Sequence, residues 1–275
     1  MLNADNESFT LNNQMKMPSI GLGVLFAKNN GEVENAVLSA LKSGYRKIDT
    51  ASAYQNEEGV GIGIKQSGIQ REDIFLTTKV WNSEQGYDET LLAFEQSLKR
   101  LQTDYVDLYL IHWPFKAKYL DTYRAMERIY SEHRAKAIGV CNFSSSQLLN
   151  LMEHSSIVPA LNQVEMHPLW NQHELLGFAK KHHIQLEAYR PIMMGKVLRI
   201  PELVAIGKLY KKTAVQITLR WLIQRGVSVI PKSVTPERIV ANIDLFDFEL
   251  STEHMTVIEL LNQDKRLGED LSGVV

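Results

Sequence analysis

Titratable side chains stand where several strands that look buried give way to loops. "KIDTASAYQNE" (47–57) reads as a short strand with Asp49 near its end, and Tyr54 follows five residues later, in a loop or at the start of a helix. Lys79 comes after "IFLTT", His112 after "VDLYLI", and Cys141 with Asn142 ends "AKAIGV". The run "ALNQVEMH" (160–167) carries Asn162, Gln163, Glu165 and His167. Such a run is far too polar for an ordinary core strand. Taken singly, each residue has an ordinary explanation: a paired core aspartate, a loop tyrosine, a lysine paired with a carboxylate, a satisfied core histidine. Five strands ending this way together point to a site. A lysine at a barrel strand's end is also the hallmark of Schiff-base aldolase chemistry, which needs a largely neutral amine. An adjacent Asp49 opposes that.

These positions need a scaffold, and the hydrophobic pattern supplies one. Eight apolar or β-branched runs recur: "SIGLGV" (19–24), "YRKIDTA" (45–51), "IFLTTKV" (74–80), "VDLYLIHW" (106–113), "AKAIGVCNF" (135–143), "ALNQVEMH" (160–167), "IQLEAYRP" (184–191) and "VSVIPKS" (227–233). Stretches with helical spacing lie between them, which implies parallel βαβ units. "VDLYLI" is apolar almost throughout, as a parallel strand covered on both faces would be. Eight units in about 250 residues match a (β/α)8 barrel, with an open doubly wound sheet as the structural alternative. No linker or change of composition divides residues 1–275, so one α/β domain is expected. "FTLNNQMKMP" is placed as a hairpin closing the barrel's bottom, and the tail from about residue 251 as a helix followed by a short loop. In a barrel the active site gathers at the C-terminal ends of the strands, where the polar residues fall.

The eighth strand gives a second, independent clue. In "VTPERIVAN" (234–242), Thr235 takes the N-cap position and Pro236 the first helical position. The helix would then aim N–H groups and its positive dipole end at the barrel top, beside Lys232, Ser233 and Arg238, which makes a phosphate site. "GVGIGIKQSG" (59–68) lacks the G-x-G-x-x-G spacing and does not follow a strand, so it reads as a helix with small packing residues. His182 and His183 cannot face one metal together, and no metal site is expected. Lysine plus arginine number 30 against 32 acidic residues, so nothing points to nucleic acid or an anionic membrane. The N-terminus lacks a signal-peptide pattern, no apolar run approaches about 18 residues, and the one cysteine excludes an internal disulfide. A cytoplasmic protein is expected.

"YRKIDTASAYQNE", "TKVW", "YVDLYLIHWP", "AIGVCNF", "LNQVEMHP" and "IPKSVTPERI", in this order, resemble the aldo-keto reductase family over essentially the whole chain. The nearest look is to the bacterial branch of 2,5-diketo-D-gluconate reductases, glyoxal reductases and prostaglandin F synthases. The resemblance implies a barrel that binds extended NADPH without a Rossmann fold and reduces small aldehydes, ketones or dicarbonyls to alcohols, as a monomer. Asp49, Tyr54, Lys79 and His112 then fall on the family's catalytic tetrad. Tyr54 would be the general acid, Lys79 would ease its proton donation, Asp49 would hold Lys79 charged, and His112 would orient the carbonyl. Leu25, Trp81 and Trp113 would join Tyr54 and His112 around the substrate. On the cofactor side the same matching gives Asp49, Cys141, Asn142 and Gln163 near the carboxamide, Tyr189 stacked on the nicotinamide, and Arg190 near the pyrophosphate. Lys232, Ser233, Val234 and Arg238 would hold the 2′-phosphate end, and Asn242 would approach the adenine.

The chain departs from the family's usual residues at Cys141 (serine), Arg190 (serine or glycine), Leu25 (an aromatic) and Ala241 (glutamate). These departures keep a non-catalytic, NADPH-binding or redox-sensing barrel as an alternative. The tail "NQDKRLGEDLSGVV" is short and polar, so an open pocket accepting several small carbonyls is expected.

Overall fold

The computed structural model describes residues 8–115, 117–271 and 273–274. Residues 1–7, read for a signal peptide, lie outside the described residues, as do Ser272 and Val275 of the C-terminal loop. The expected hairpin is present: β1 (Ser8–Thr10) pairs antiparallel with β2 (Lys16–Pro18). Its buried side chains Leu11 and Met17 pack with Leu108, Leu110, Ala137 and Leu161, so they plug the end of the barrel where the strands begin. Asn12 and Asn13 pin the turn by donating to the Pro159 and Lys136 carbonyls at 3.1 and 2.9 Å.

All eight apolar runs form strands of one parallel sheet: β3 (Leu22–Gly23), β4 (Lys47–Asp49), β5 (Phe75–Val80), β6 (Leu108–Ile111), β7 (Ile138–Cys141), β8 (Leu161–Glu165), β9 (Gln185–Tyr189) and β10 (Ser228–Val229). Each strand neighbours the next, and bridges Ile20–Val229 and Gly23–Lys232 join the first to the last. That closure excludes the open sheet. The first and last barrel strands are shorter than their apolar runs. Pro231 has no N–H to give the ladder, and only its carbonyl continues it, accepting from the Gly23 N–H at 3.2 Å.

Helices α1 (Glu32–Lys42), α2 (Glu57–Ser67), α3 (Tyr87–Leu101), α4 (Tyr119–Ser131), α5 (Ser145–Glu153) and α6 (His173–Lys181) follow β3 to β8 in turn. Two helices, α7 (Pro201–Tyr210) and α8 (Ala214–Gln224), separate β9 from β10. Then come α9 (Pro236–Ile243) and α10 (Thr252–Glu259). Successive strand residues alternate between the barrel interior and the helices. On β6, Leu108 and Leu110 face inward, whereas Tyr109 meets Phe94 of α3 edge-on at 4.8 Å.

The glycine-rich stretch is helical to Ser67, with Gly68 as its left-handed C-cap, and packs as its small residues require. A Cβ on Gly61 would come within 2.5 Å of the Leu101 carbonyl oxygen at the end of α3. Backbone cannot move aside as a flexible side-chain tip can. Gly61→Ala should therefore lower stability by about 1–3 kcal/mol despite alanine's better helix propensity. A fall in the urea midpoint with unchanged slope would register it; an unchanged midpoint would refute it.

Candidate active site

Strand alternation puts Lys47 and Asp49 of β4 on one interior face, with Lys79 of β5 beside Asp49. The Lys79 Nζ donates to Asp49 Oδ1 at 2.6 Å and to the Thr50 carbonyl at 2.8 Å. The chain leaves β4 in extended conformation at Ala51 and turns through a short 3-10 segment, Ser52–Tyr54. Asn56 fixes this turn: it accepts from the Thr50 hydroxyl at 2.8 Å and donates to the Val24 and Ala27 carbonyls at 2.9 and 3.0 Å. Ser52 donates to Glu84 from the far side. Tyr54 thereby faces His112 edge-on at 5.5 Å, with the Lys79 ammonium 5.1 Å from its ring centre. His112, just beyond β6, also meets Trp81 edge-on at 5.1 Å.

Burial sets the protonation of this group, and neighbours modify it. Burial would push the Lys79 ammonium down, but the Asp49 charge and hydrogen bond outweigh it and raise the pKa. Burial raises the Asp49 carboxyl, assisted by Glu187 and opposed by Lys79 and Gln163. Tyr54 is pushed up to about 12 by burial, while Lys79 pulls the other way. His112 is held well below the usual imidazole range, first by burial and then by Lys79. A neutral imidazole carries one N–H. Its Nδ1 meets no acceptor among the described residues, which favours placing that N–H on Nε2.

A second group of polar residues adjoins the first. Asn142, in left-handed backbone just past β7, donates to the His112 carbonyl at 2.9 Å and accepts from the Tyr189 hydroxyl at 2.8 Å. Gln163 Nε2 donates to Asp49 Oδ2 at 2.7 Å and to Glu187 Oε1 at 3.0 Å. Cys141 is fully buried, and burial pushes its thiol well up. Arg190 lies 3.9 Å from Glu165. Leu25 lies half-buried beyond β3, while its neighbour Phe26 is 76% exposed.

The β10–α9 residues form a separate cluster. Pro236 opens α9 and Thr235 is its N-cap, without a side-chain cap bond. Ser233 is buried and accepts from the Thr235 N–H at 3.2 Å. Val234 is half-buried, Asn242 is buried, and Lys232 and Arg238 are exposed. Among the described residues no acidic side chain pairs with either cation, and no cluster of His, Cys, Asp or Glu is placed to hold a metal.

The polar tail is anchored to side chains around the barrel mouth. The buried Glu165 carboxylate accepts from the Leu267 and Gly268 N–H groups at 2.7 and 2.9 Å and pairs with His167 at 3.1 Å. Burial would raise Glu165, but these donors hold it below the usual carboxylate range. Asn82 takes the Leu271 carbonyl at 2.8 Å on the opposite side. Between these anchors, the Arg266 guanidinium covers the rings of Trp113 and Trp170 at 5.1 and 5.5 Å. Backbone groups anchored in this way let a polar segment lie in one place. The sequence reading missed Asn82 and Arg266, and also Lys47 and Glu187, a buried pair beneath Asp49 whose only sequence signal is a charge at an interior strand position. A cavity of about 390 Å³ lies at the opposite end of the barrel, beside the hairpin, and no tetrad residue lines it.

Comparison with known proteins adds independent findings. Residues 19–263 match the model of the aldo/keto reductase family. A glyoxal reductase of Bacillus subtilis is 51% identical, over 95% of this chain and 95% of its own. An aldo-keto reductase crystallised from a Medee basin deep-sea metagenome library has a TM-score of 0.94 at 50% identity, covering 98% of this chain and all of the other. A Bombyx mori aldo-keto reductase, crystallised in complex with NADP, has a TM-score of 0.91 at 37% identity, over 96% and 95% of the two chains.

Proposed function

Because the chain belongs to the aldo-keto reductase family, we propose that it reduces aldehydes, ketones or dicarbonyls to alcohols with NADPH, using Tyr54 as the general acid. The observation that carries this reading is the Asp49–Lys79 ion pair held beside Tyr54 and a neutral His112. NADPH, when bound, supplies the hydride. Lys79 offsets negative charge building on the Tyr54 oxygen as its proton moves to the substrate oxygen. Asp49 keeps Lys79 charged. His112 offers Nε2–H to the same oxygen and fixes the carbonyl's direction. Trp81 and Trp113 wall the pocket, and Leu25 closes it.

The residues present fit the cofactor. Lys232 and Arg238, without acidic partners among the described residues, flank the α9 N-terminus, where Ser233 and Val234 complete a 2′-phosphate site. Asn242, in the last turn of α9, would approach the adenine. Asn142, Gln163 and Cys141, beside Asp49, would hold the carboxamide, Tyr189 would stack on the nicotinamide, and Arg190 would meet the pyrophosphate. The Schiff-base alternative needs a neutral Lys79, which the raised pKa opposes. A redox-sensing role needs an accessible thiolate, whereas Cys141 is buried and its thiol is pushed up. One domain acting as a cytoplasmic monomer accompanies the reading; the lone buried cysteine suits a reducing compartment.

The likeness to a glyoxal reductase points to small dicarbonyls as substrates. NADPH oxidation should proceed with methylglyoxal, phenylglyoxal and a nitrobenzaldehyde, and little should occur with NADH. NADPH that binds without turnover on any of the three would overturn the reading.

A further inference from the structure

Lys47 and Glu187 are both fully buried inside the barrel, and the chemistry above does not use either. Lys47 precedes Asp49 by two residues on β4 and shares its interior face. Glu187 lies in register with Gln163 on β8 and Ser228 on β10. Lys47 crosses the interior over Gly21, where a Cβ would come 2.6 Å from Lys47 Cε. Its ammonium donates to Glu187 and to the Ser228 hydroxyl, which itself donates to Glu187 Oε2 at 2.8 Å. Glu187 Oε1 accepts from Gln163 Nε2, and the same nitrogen donates to Asp49 Oδ2. Asp49 Oδ1 holds Lys79. An unbroken line of hydrogen bonds thus runs from Lys47 to the ammonium beside Tyr54.

We propose that Lys47 is a positioning residue for carbonyl reduction, acting through Glu187 to hold the Gln163 amide and the charge of the Asp49–Lys79 pair. The proposal rests on the functional reading above. One amide nitrogen joins two buried carboxylates here. Such an arrangement is tolerable only when each carboxylate has its own cation, because an unpaired buried charge is costly. Lys79 serves Asp49, and Lys47 serves Glu187. With both N–H bonds of Gln163 committed, its Oε1 is the atom left to accept from a bound carboxamide. The ionisable groups facing this line and Tyr54 are Lys47 and Asp49 from β4, Lys79 from β5, His112 beyond β6, Cys141 from β7 and Glu187 from β9. His112 and Cys141 are neutral, so the field at Tyr54 is set by two opposed pairs.

The test uses the full chain carrying Lys47→Met, Glu187→Gln or both. The readouts are NADPH affinity by protein fluorescence quenching and the rates of nitrobenzyl alcohol oxidation and nitrobenzaldehyde reduction at pH 9. Both directions cross one transition state in which Tyr54 carries developing phenolate charge, so a stranded positive charge speeds both and a stranded negative one slows both. A purely structural defect slows both in either variant. Glu187→Gln strands a positive charge and should raise both rates about threefold, whereas Lys47→Met strands a negative one and should lower both about threefold. Lys47→Met should also weaken NADPH binding about three- to tenfold, because Glu187 loses the cation that holds it against Gln163. The double variant keeps an acceptor at 187 without net charge and should return both rates to the wild-type values. Folded variants whose rates and NADPH affinity match the wild type would overturn the proposal. If Lys47→Met does not fold, Glu187→Gln and the double variant decide it. If the wild type reduces no carbonyl, the functional reading fails, and the NADPH affinities still decide the role of Lys47.

Discussion

Tyr54→Phe should lower the rate of carbonyl reduction at least about 10³-fold while leaving NADPH affinity within about twofold. The ring would keep its edge-on contact with His112, and the turn that holds it is fixed by Asn56 and Ser52, not by the phenol. The proton donor alone is lost. His112 is neutral and in the proposed mechanism already orients the carbonyl, and the Lys79 ammonium is committed to Asp49 and the Thr50 carbonyl. The direction of the Tyr54 shift adds a pH signature. Burial raises its pKa to about 12, so the phenol stays protonated and reduction by the wild type should stay nearly flat from pH 6 to 8. Alcohol oxidation needs the phenolate and should climb roughly tenfold per pH unit over the same range. Stopped-flow rates and fluorescence titration of NADPH would check both. Retained reduction in the Phe variant would remove Tyr54 from the mechanism.

The residues proposed to carry the chemistry were legible because local pattern exposes them. Asp49, Lys79 and His112 are polar groups at the ends of apolar runs, a contrast visible within a few residues of sequence. The barrel was legible for a similar reason, since eight runs with helices between them leave few topologies. The Lys47–Glu187 pair spans 140 residues of sequence, and only the closed barrel brings β4 and β9 across from one another. Read locally, Lys47 in "YRKID" is one more basic residue after Arg46. The tail illustrates a second limit. Its short, polar composition suggested an open pocket, and nothing in it signals that Glu165 and Asn82 supply the partners its backbone needs from β8 and the loop after β5. Composition reports what a segment can tolerate, not which distant side chain will anchor it.

Lys79→Met separates the structural cost of the buried pair from its chemical use. Removing the ammonium leaves Asp49 buried beside Glu187 without its cation, and breaking a buried pair in this way costs about 3–5 kcal/mol. The pH dependence of that loss has a definite sign. Asp49 is already raised in the folded protein, and losing Lys79 takes away its main downward pull. A carboxyl whose folded pKa lies above its unfolded value destabilises the fold when ionised, and that penalty fades as pH falls through the folded pKa. The stability deficit of Lys79→Met relative to wild type should therefore shrink on going from pH 8 to pH 5, measured by urea unfolding at each pH. Lys79→Met/Asp49→Leu removes both charges and should recover much of the stability, since apolar replacement of a buried pair is often neutral. It should recover none of the activity, because Tyr54 would face its burial without the ammonium that offsets developing phenolate charge. If the double variant regained reduction along with stability, Lys79 would be a structural residue, and the general acid would need another source of its acidity.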